Sequence, residues 1–156
     1  MQRFTISLDD HLAHEFDHLI SQRGYATRSE AVRDLIRERL GSNLLDAKQA
    51  KFCVTTVTYV YDHHEATIVS RLLAIQHQHH DLVVSCLHTH LDHDNCLETV
   101  IMRGLTADVQ SCAGQLIALR GVRNGQIHSL ALSQEKHTHH HTDAGAPKHR
   151  HLTPLL

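Results

Sequence analysis

The stretch DLVVSCLHTHLDHDNCLETVIMRG, residues 81–104, contains two apolar, β-branched segments separated by a short polar turn. Valine, isoleucine and threonine favour strands, and the DHDN sequence at 92–95 supplies residue types that turns prefer. Side chains two positions apart in a strand point to the same face, so His88 and His90 are expected on one face. Cys96 begins the second strand and is expected beside His90 across the turn. The hairpin therefore predicts a cluster of two imidazoles and one thiolate, which is typical of a metal site.

The segments on either side of this hairpin complete a mixed domain. FCVTTVTYVY at 52–61 reads as a strand, and VRNGQIHSLAL at 122–132 reads as the last one. EATIVSRLLAIQHQHH at 65–80 and TADVQSCAGQLIALRG at 106–121 have helical spacing of their apolar residues. The resulting order, βαββαβ, is the ferredoxin-like plan.

The beginning of the chain has a different pattern. Residues 2–8 alternate between polar and mostly apolar side chains, which predicts a half-buried strand. Asp9 or Asp10 then caps a first helix that ends at Gly24, and a second helix, opened by the capping-box sequence TRSE, is expected to end at Gly41. One short strand cannot satisfy its own backbone groups, so two copies are expected to pair their strands into an antiparallel ribbon. This piece is therefore predicted to be a dimer.

These patterns divide the chain into four parts. Residues 1–41 are the first domain, SNLLDAKQAK at 42–51 is expected to be a linker, and residues 52–132 are the second domain. Residues 133–156 are polar, histidine-rich and without periodicity, so they are predicted to be a disordered tail. The functional interpretation of that tail is weak, exchangeable metal capture.

Composition limits the function. The formal net charge of -2 excludes a strongly basic polypeptide, so any nucleic-acid binding must come from a local patch. Histidine is the outlier, with 18 residues against 15 Lys plus Arg. The four cysteines form no CxxC pair, and neither a signal segment nor an apolar membrane span is recognisable. We expect a cytoplasmic protein with reduced thiols and no membrane partner.

Ligand counting leaves the metal open. The hairpin lacks a fourth ligand, for which His77, His79 and His80 at the end of the preceding helix are candidates, supplied from another subunit. Three imidazoles and one thiolate suit Zn(II), Cu(II) or Ni(II), and spacing does not choose among them.

The polar face of the first predicted strand consists of Arg3, Thr5 and Ser7. Two copies in a ribbon would present six such side chains, a surface that fits the DNA major groove, whereas the alternative is the solvated side of an edge strand. MQRFTISLDD and RGYATRSEAVRDLIRERL resemble the ribbon-helix-helix DNA-binding family. The resemblance implies base contacts from these three residues, phosphate contacts near Arg28 and Ser29, and binding of a dimer to a palindromic operator.

Together with QHQHHDLVVSCLHTHLDHDNCLE at 76–98, this module is similar to the nickel-responsive repressor (NikR) family over residues 1 to about 132. The resemblance implies an α+β chain, a ribbon-helix-helix module followed by a ferredoxin-like (ACT-type) domain, assembled as a homotetramer from two dimers. It also implies one Ni(II) ion per subunit. The implied residues are the nickel ligands His88, His90 and Cys96 with His77 of the facing subunit, Glu98 as a hydrogen-bonding support, and Glu30 and Asp34 at a second cation site.

The function implied is a DNA-binding transcriptional repressor, not an enzyme, in which nickel promotes operator binding and nickel uptake genes are controlled. One alternative is a metalloenzyme, for which Glu98 is the only candidate base in the motif. Another is a regulator whose ACT-type domain responds to an amino acid. The sequence departs from the family in DHHEAT at 62–67, where Glu65 replaces a basic DNA contact and His63 and His64 are the candidates to substitute for it.

Overall fold

The computed structural model describes residues 5–46, 49–134 and 152–155 of the chain. The chain forms two compact units, residues 1–40 and residues 41–156. None of the helices in the described residues is long and apolar enough to cross a membrane.

The first unit contains helix α1, Asp10–Arg23, and most of helix α2, Arg28–Asp46. Asp9 caps α1, since its Oδ1 accepts a hydrogen bond from the backbone N–H of Leu12 at 2.9 Å. Gly24 ends α1 in the left-handed conformation at φ 72°, which costs glycine little because it has no Cβ. Thr27 Oγ1 accepts the backbone N–H of Glu30 at 3.1 Å, so this half of the predicted capping box is confirmed.

The predicted strand at residues 2–8 is not formed over its described part, residues 5–8. Residues 2–4 lie outside the described part, and residues 5–8 pair with no strand within it. A β ladder needs a second strand, and residues 5–40 of one chain, the described part of the first unit, contain none. Ile6 and Leu8 are 54% and 42% exposed, so the apolar face of this segment is uncovered.

The two helices also bury little. The spacing of α2 predicts that Ile36 and Leu40 face inward, yet they are 42% and 46% exposed in the single chain. Leu12 of α1 is 50% exposed, and among the described residues of this unit only Ala31 is buried. The physical reason is size, because two helices alone offer too little surface to cover each other's apolar faces.

The second unit is a five-stranded antiparallel sheet with two helices on one face, and its order confirms the βαββαβ prediction. Its sheet order is β2-β3-β1-β4-β5. The elements are β1 (Phe52–Asp62), α3 (Ala66–Gln78), β2 (Val83–His90), β3 (Asn95–Leu105), α4 (Thr106–Ile117), β4 (Arg123–Gln134) and β5 (Leu152–Pro154).

The core lies between the sheet and its helices. Burial in β1 alternates strictly with residue number, as the period of two in a strand requires. The odd-numbered β1 residues are buried, and the even-numbered ones are only partly covered. The largest fully buried side chains are Tyr59, Leu72, Met102 and Leu116.

The prediction of a linker at residues 42–51 is wrong for its first part, because α2 continues to Asp46 instead of ending at Gly41. Leu45 and Ala50 are 7% and 2% exposed and belong to the core of the second unit. Thr106 Oγ1 donates a hydrogen bond to the carbonyl of Ala50 at 2.6 Å. Burial of these side chains outweighs the cost of about 1 kcal/mol for a glycine inside a helix.

We expect Leu45→Ala to lower the free energy of unfolding by about 2–5 kcal/mol, the usual result of truncating a buried leucine. Asn43→Ala, two residues away on the exposed side of the same helix, is the matched control and should stay within about 0.5 kcal/mol. Urea unfolding measures both. Equal, small effects would mean that this segment is a linker after all.

The end of the chain also departs from the prediction of a tail disordered from residue 133. Ser133 and Gln134 belong to β4, and Leu152–Pro154 form a strand paired with it. Backbone pairing and a hydrogen bond of 3.0 Å between Ser133 Oγ and Thr153 Oγ1 hold this edge. Residues 135–151, with the histidines from His137 to His151, lie outside the described part.

Candidate metal centre

The predicted contact across the hairpin is present. The β2–β3 register places His90 opposite Cys96 and His88 opposite Glu98. The Sγ atom of Cys96 lies 3.2 Å from Nδ1 of His90, and Cys96 is fully buried. The strand alternation and the turn at 92–95 thus bring an imidazole and a thiol together as the sequence predicts.

A third donor, His63, joins this pair. Its Nδ1 lies 3.3 Å from Cys96 Sγ, and one donor atom from each of His63, His90 and Cys96 falls within 4.8 Å of the others. His63 follows the end of β1, and its backbone N–H donates to the carbonyl of Asp94 at 3.1 Å. In the sequence, His63 is a candidate only for a DNA-backbone contact, and its position beside Cys96 is not predicted. The signal was the ferredoxin-like order, which places β1 beside β3 and so the residue after β1 beside the start of β3.

His88 lies next to this group without being one of the three donors. Its ring centroid is 5.0 Å from that of His90. Its Nδ1 lies 3.2 Å from the hydroxyl of Tyr61 and 3.6 Å from Oε2 of Glu98. The Nδ1 atom of His88 therefore faces the buried carboxylate of Glu98, while 39% of the His88 side chain is exposed.

Glu98 accepts hydrogen bonds from three side chains. The Tyr59 hydroxyl donates to Oε1 at 2.6 Å, the Gln76 amide donates to Oε1 at 2.7 Å, and the Tyr61 hydroxyl donates to Oε2 at 3.1 Å. Burial, followed by the Glu98 carboxylate, raises the pKa of both tyrosines, so their hydroxyls remain donors at neutral pH. Glu98 is 7% exposed, and these donors satisfy both of its carboxyl oxygens.

His77 occupies the last turn of α3 and is exposed. It follows Gln76, the helix residue that reaches Glu98, so the end of α3 is tied to the metal-site strand by one hydrogen bond. His77 is not among the donor atoms that come together in the described part of one chain. Its assignment to the site of a facing subunit stays a prediction. His79, His80 and His93 have no donor atom in the group either.

The surroundings of Cys96 favour its protonated thiol over the thiolate. Burial raises the pKa of the Cys96 thiol, and the carboxylates of Asp92, Glu98 and Asp62 raise it further. Hydrogen bonds from Asn95 and from the backbone of Asp94 lower the pKa of Asp92 to about 2, so Asp92 is charged at neutral pH. A metal must therefore displace the thiol proton to bind here.

The other three cysteines are not among the grouped donors of the described residues. Cys53 and Cys112 are buried and pack as small hydrophobic side chains. Cys86 is exposed on β2, which forms an edge of the sheet. Partial burial and Glu98 raise the pKa of its thiol to about 11, so it is a weak nucleophile at neutral pH.

The donor set fits a borderline transition metal. Bonds of about 2.0–2.3 Å to nitrogen and sulfur place two neighbouring ligands about 3 Å apart at a right angle. The Cys96 Sγ to His90 Nδ1 distance of 3.2 Å is close to that separation. Imidazole and thiolate suit nickel, copper and zinc, whereas magnesium and calcium prefer oxygen ligands.

In the first unit, Arg28 makes a bidentate salt bridge with Asp17. Its Nε donates to Oδ1 at 2.7 Å and its Nη2 donates to Oδ2 at 2.6 Å. The contact lowers the pKa of Asp17 and raises that of Arg28. The remaining predicted DNA-contact residues are exposed or outside the described part: Thr5, Ser7 and Ser29 are exposed, and Arg3 lies outside.

The residues of the predicted second cation site lie one turn apart on α2. Asp34 Oδ1 accepts a hydrogen bond from Arg37 Nη1 at 3.2 Å, and Glu30 is half-buried near the start of the helix. The Arg37 guanidinium already supplies a cation to Asp34. A metal ion shared by Glu30 and Asp34 stays a prediction.

Family models match both parts of the chain. The model described as the NikR C terminal nickel binding domain matches residues 54–130. The model described as the ribbon-helix-helix protein, copG family, matches residues 2–41. The two matched ranges coincide with the sheet domain and with the helical unit that precedes it.

Curated relatives cover most of the chain. A putative nickel-responsive regulator of Solibacter usitatus is 46% identical over 81% of this chain and 91% of the relative. The one from Trichlorobacter lovleyi is 42% identical over 86% of this chain and 96% of the relative. The one from Geobacter sp. (strain M21) is 48% identical over 80% of this chain and 89% of the relative. Among solved structures, an uncharacterized protein of Thermotoga maritima is 12% identical to this chain, with a TM-score of 0.41. The likeness covers 53% of this chain and 98% of that chain and is too weak to show a shared fold. The matched models and relatives show that this chain belongs to the family of nickel-responsive transcriptional regulators, with a ribbon-helix-helix DNA-binding module and a NikR-type C-terminal domain.

Proposed function

We propose that this protein is a cytoplasmic repressor of nickel uptake genes that binds operator DNA when it is loaded with nickel. The observation that carries the proposal is the contact of 3.2 Å between the buried Cys96 thiol and His90, in a domain matched to a nickel-binding family. The thiol and imidazole supply borderline ligands, and their separation suits two bonds to one ion.

The proposed ligands are His88, His90 and Cys96 of one subunit and His77 of a facing subunit, with one nickel ion per subunit. His88 is a suitable ligand through Nε2, because its Nδ1 is directed towards Tyr61 and Glu98. A metal-bound histidine usually donates its other ring N–H to a carboxylate, which fixes the ring orientation. His63 is a second donor at the same thiol, and replacement of His63 and of His88 by glutamine separates their contributions.

Assembly follows from uncovered apolar residues. In the first unit Ile6, Leu8, Leu12, Ile36 and Leu40 are between 42% and 54% exposed in one chain. Pairing of two copies through the segment at residues 2–8 would cover this surface and form the ribbon. We propose that two such dimers join through the sheet domains into a homotetramer, in which His77 of one subunit would reach the metal site of another.

The proposed DNA contacts are Arg3, Thr5 and Ser7 from the ribbon in the major groove of a palindromic operator. Backbone N–H groups and Ser29 at the start of α2 would hold phosphate. Arg28 would have to leave Asp17, or share its guanidinium, to contact the backbone. The coupling is reciprocal, so operator DNA should also strengthen nickel binding.

A catalytic role for the metal is less well supported. A metal-dependent hydrolase needs a base beside the ion, and Glu98 is the only candidate base in the metal-binding motif. Both Glu98 oxygens already accept hydrogen bonds from Tyr59, Gln76 and Tyr61. Regulation by an amino acid leaves the contact between His90 and Cys96 without a role.

The test is a gel shift on a palindromic operator with the full-length protein, titrated with and without nickel. We expect nickel to increase operator affinity by about 5–150-fold, the usual range of coupling between two sites. A scrambled DNA of equal length serves as the control, because non-specific phosphate binding should change little with nickel. Equal operator affinities with and without bound nickel would disprove the repressor mechanism.

A further inference from the structure

Helix α1 carries a second group of histidines that the proposed function does not use. Residues 14–18 read HEFDH, and the two histidines are four positions apart within Asp10–Arg23. Both are exposed, and the side chain of His14 is 80% exposed. The helix is capped by Asp9 and by Gly24, so this pair lies in its regular middle turns.

The helix geometry brings the two imidazoles together. Four residues correspond to about 6 Å along the axis and about 40° around it, so the side chains are neighbours on one face. Rotation about χ1 and χ2 can direct one nitrogen of each ring to a common point, as in other helical sites with His at i and i+4. Phe16, Leu19 and Ile20 are half-buried on other positions of α1, which leaves the histidine side to solvent.

The charge around the pair also favours a cation. Glu15 Oε1 lies 3.6 Å from His14 Nδ1, so a carboxylate is adjacent to the first imidazole. His11 lies one turn earlier and is exposed as well. Asp17 is committed to Arg28 through two hydrogen bonds and is not needed as a ligand. A similar sequence forms the zinc site of metalloproteases, but here it lies on an open helix surface, so a binding site is inferred and not an active site.

We propose that His14 and His18 form a surface chelate for a borderline divalent ion, of the class of Zn(II), Ni(II) and Cu(II). The site belongs to the unit that carries the predicted DNA-binding ribbon and shares no residue with the His90 and Cys96 centre. The first unit would therefore have a metal-binding site of its own. The proposal does not depend on the nickel-responsive function.

The first test counts zinc bound per chain by equilibrium dialysis of the full-length protein. All variants carry His11→Gln, because His11 is three residues from His14 and could replace a lost partner. In that background, His14→Gln and His18→Gln should each bind one zinc ion fewer than His11→Gln alone. The matched control combines His18→Gln with Gln22→His, which keeps the number of histidines but separates the pair by eight positions, about 12 Å along the axis. This control should also lose one zinc ion. His128→Gln, at an exposed position on β4, should lose none.

The second test locates the ion. Diethyl pyrocarbonate modifies accessible imidazoles, and peptide mass spectrometry reads each position separately. We expect zinc to slow modification of His14 and His18 together, to leave His128 unaffected, and to lose its effect at His14 in the His18→Gln chain. Unchanged zinc counts in the two single variants, or retention of the ion by the spacing control, would disprove the chelate. The nickel–thiolate absorbance of the same variants should persist, so the outcome is distinguishable from a failure of the nickel centre.

Discussion

Cys96→Ser is expected to abolish high-affinity nickel binding and, with it, nickel-dependent DNA binding. The Cys96 sulfur lies 3.2 Å from His90 Nδ1 and 3.3 Å from His63 Nδ1, so it is common to both histidine contacts. A serine hydroxyl keeps its proton at neutral pH and is a poor ligand for a borderline metal. Nickel titration followed by thiolate charge-transfer absorbance measures the first effect, and the operator gel shift measures the second.

Cys86→Ser is the matched control for this experiment. Cys86 lies two residues before His88 on β2, and it is exposed. Its replacement should leave both the absorbance and the gel shift unchanged. A Cys96→Ser chain that still responds to nickel would place the metal elsewhere, whereas a response to an amino acid in that chain would favour the amino-acid regulator.

Nickel binding is expected to weaken as the pH falls. Burial and the neighbouring carboxylates raise the pKa of the Cys96 thiol, and the metal binds the thiolate. Each drop in pH below that pKa therefore adds competition from the proton, and nickel affinity should fall as the pH falls. Proton release on nickel binding, measured in a weakly buffered solution, should disappear in the Cys96→Ser chain.

Glu98→Ala is expected to weaken both the fold and the nickel site. The change removes the acceptor of Tyr59, Tyr61 and Gln76, and Tyr59 is fully buried. Each buried donor left without a partner costs about 1–3 kcal/mol. His88 also loses the carboxylate near its Nδ1, and loss of such a support usually lowers metal affinity by about 10–100-fold.

Urea unfolding and nickel titration measure these two effects. Thr99→Ala is the control, because Thr99 is the next residue of β3 and lies on the other face of the sheet, where its hydroxyl is 3.2 Å from that of Thr58. Tyr59→Phe combined with Glu98→Ala should recover part of the lost stability, since it removes the orphaned hydroxyl. If Glu98→Ala and Thr99→Ala have equal effects, the hydrogen-bond network does not support the site.

Much of the metal site could be predicted because strand alternation is local. Residues two apart share a face, and a short turn places Cys96 beside His90, so this contact needs only the period of the hairpin. His63 is 33 residues from Cys96, and its contact depends on the register of β1 against β3. That register is fixed by packing of the whole sheet, which the local pattern does not contain.

The helix ends show the same limit. Asp9 and Gly24 were predictable, because a side-chain cap and a left-handed glycine act within one turn. Gly41 was predicted to end α2, but Leu45 packs into the core of the second unit and carries the helix on to Asp46. A tertiary contact of this kind has no signature in the neighbouring residues.

The pairing of Gln134 with Leu152 makes Leu152–Pro154 part of the sheet domain. This strand, β5, covers backbone groups of β4 that would otherwise form an open sheet edge. Truncation of the chain after Gln134 would remove β5, the edge strand. It would expose the β4 edge beside Ala131 and Leu132, which are 7% and 6% exposed in the intact chain. A short turn that joins Gln134 to Leu152, which are already paired, would remove the histidines from His137 to His151 and keep β5 at this edge.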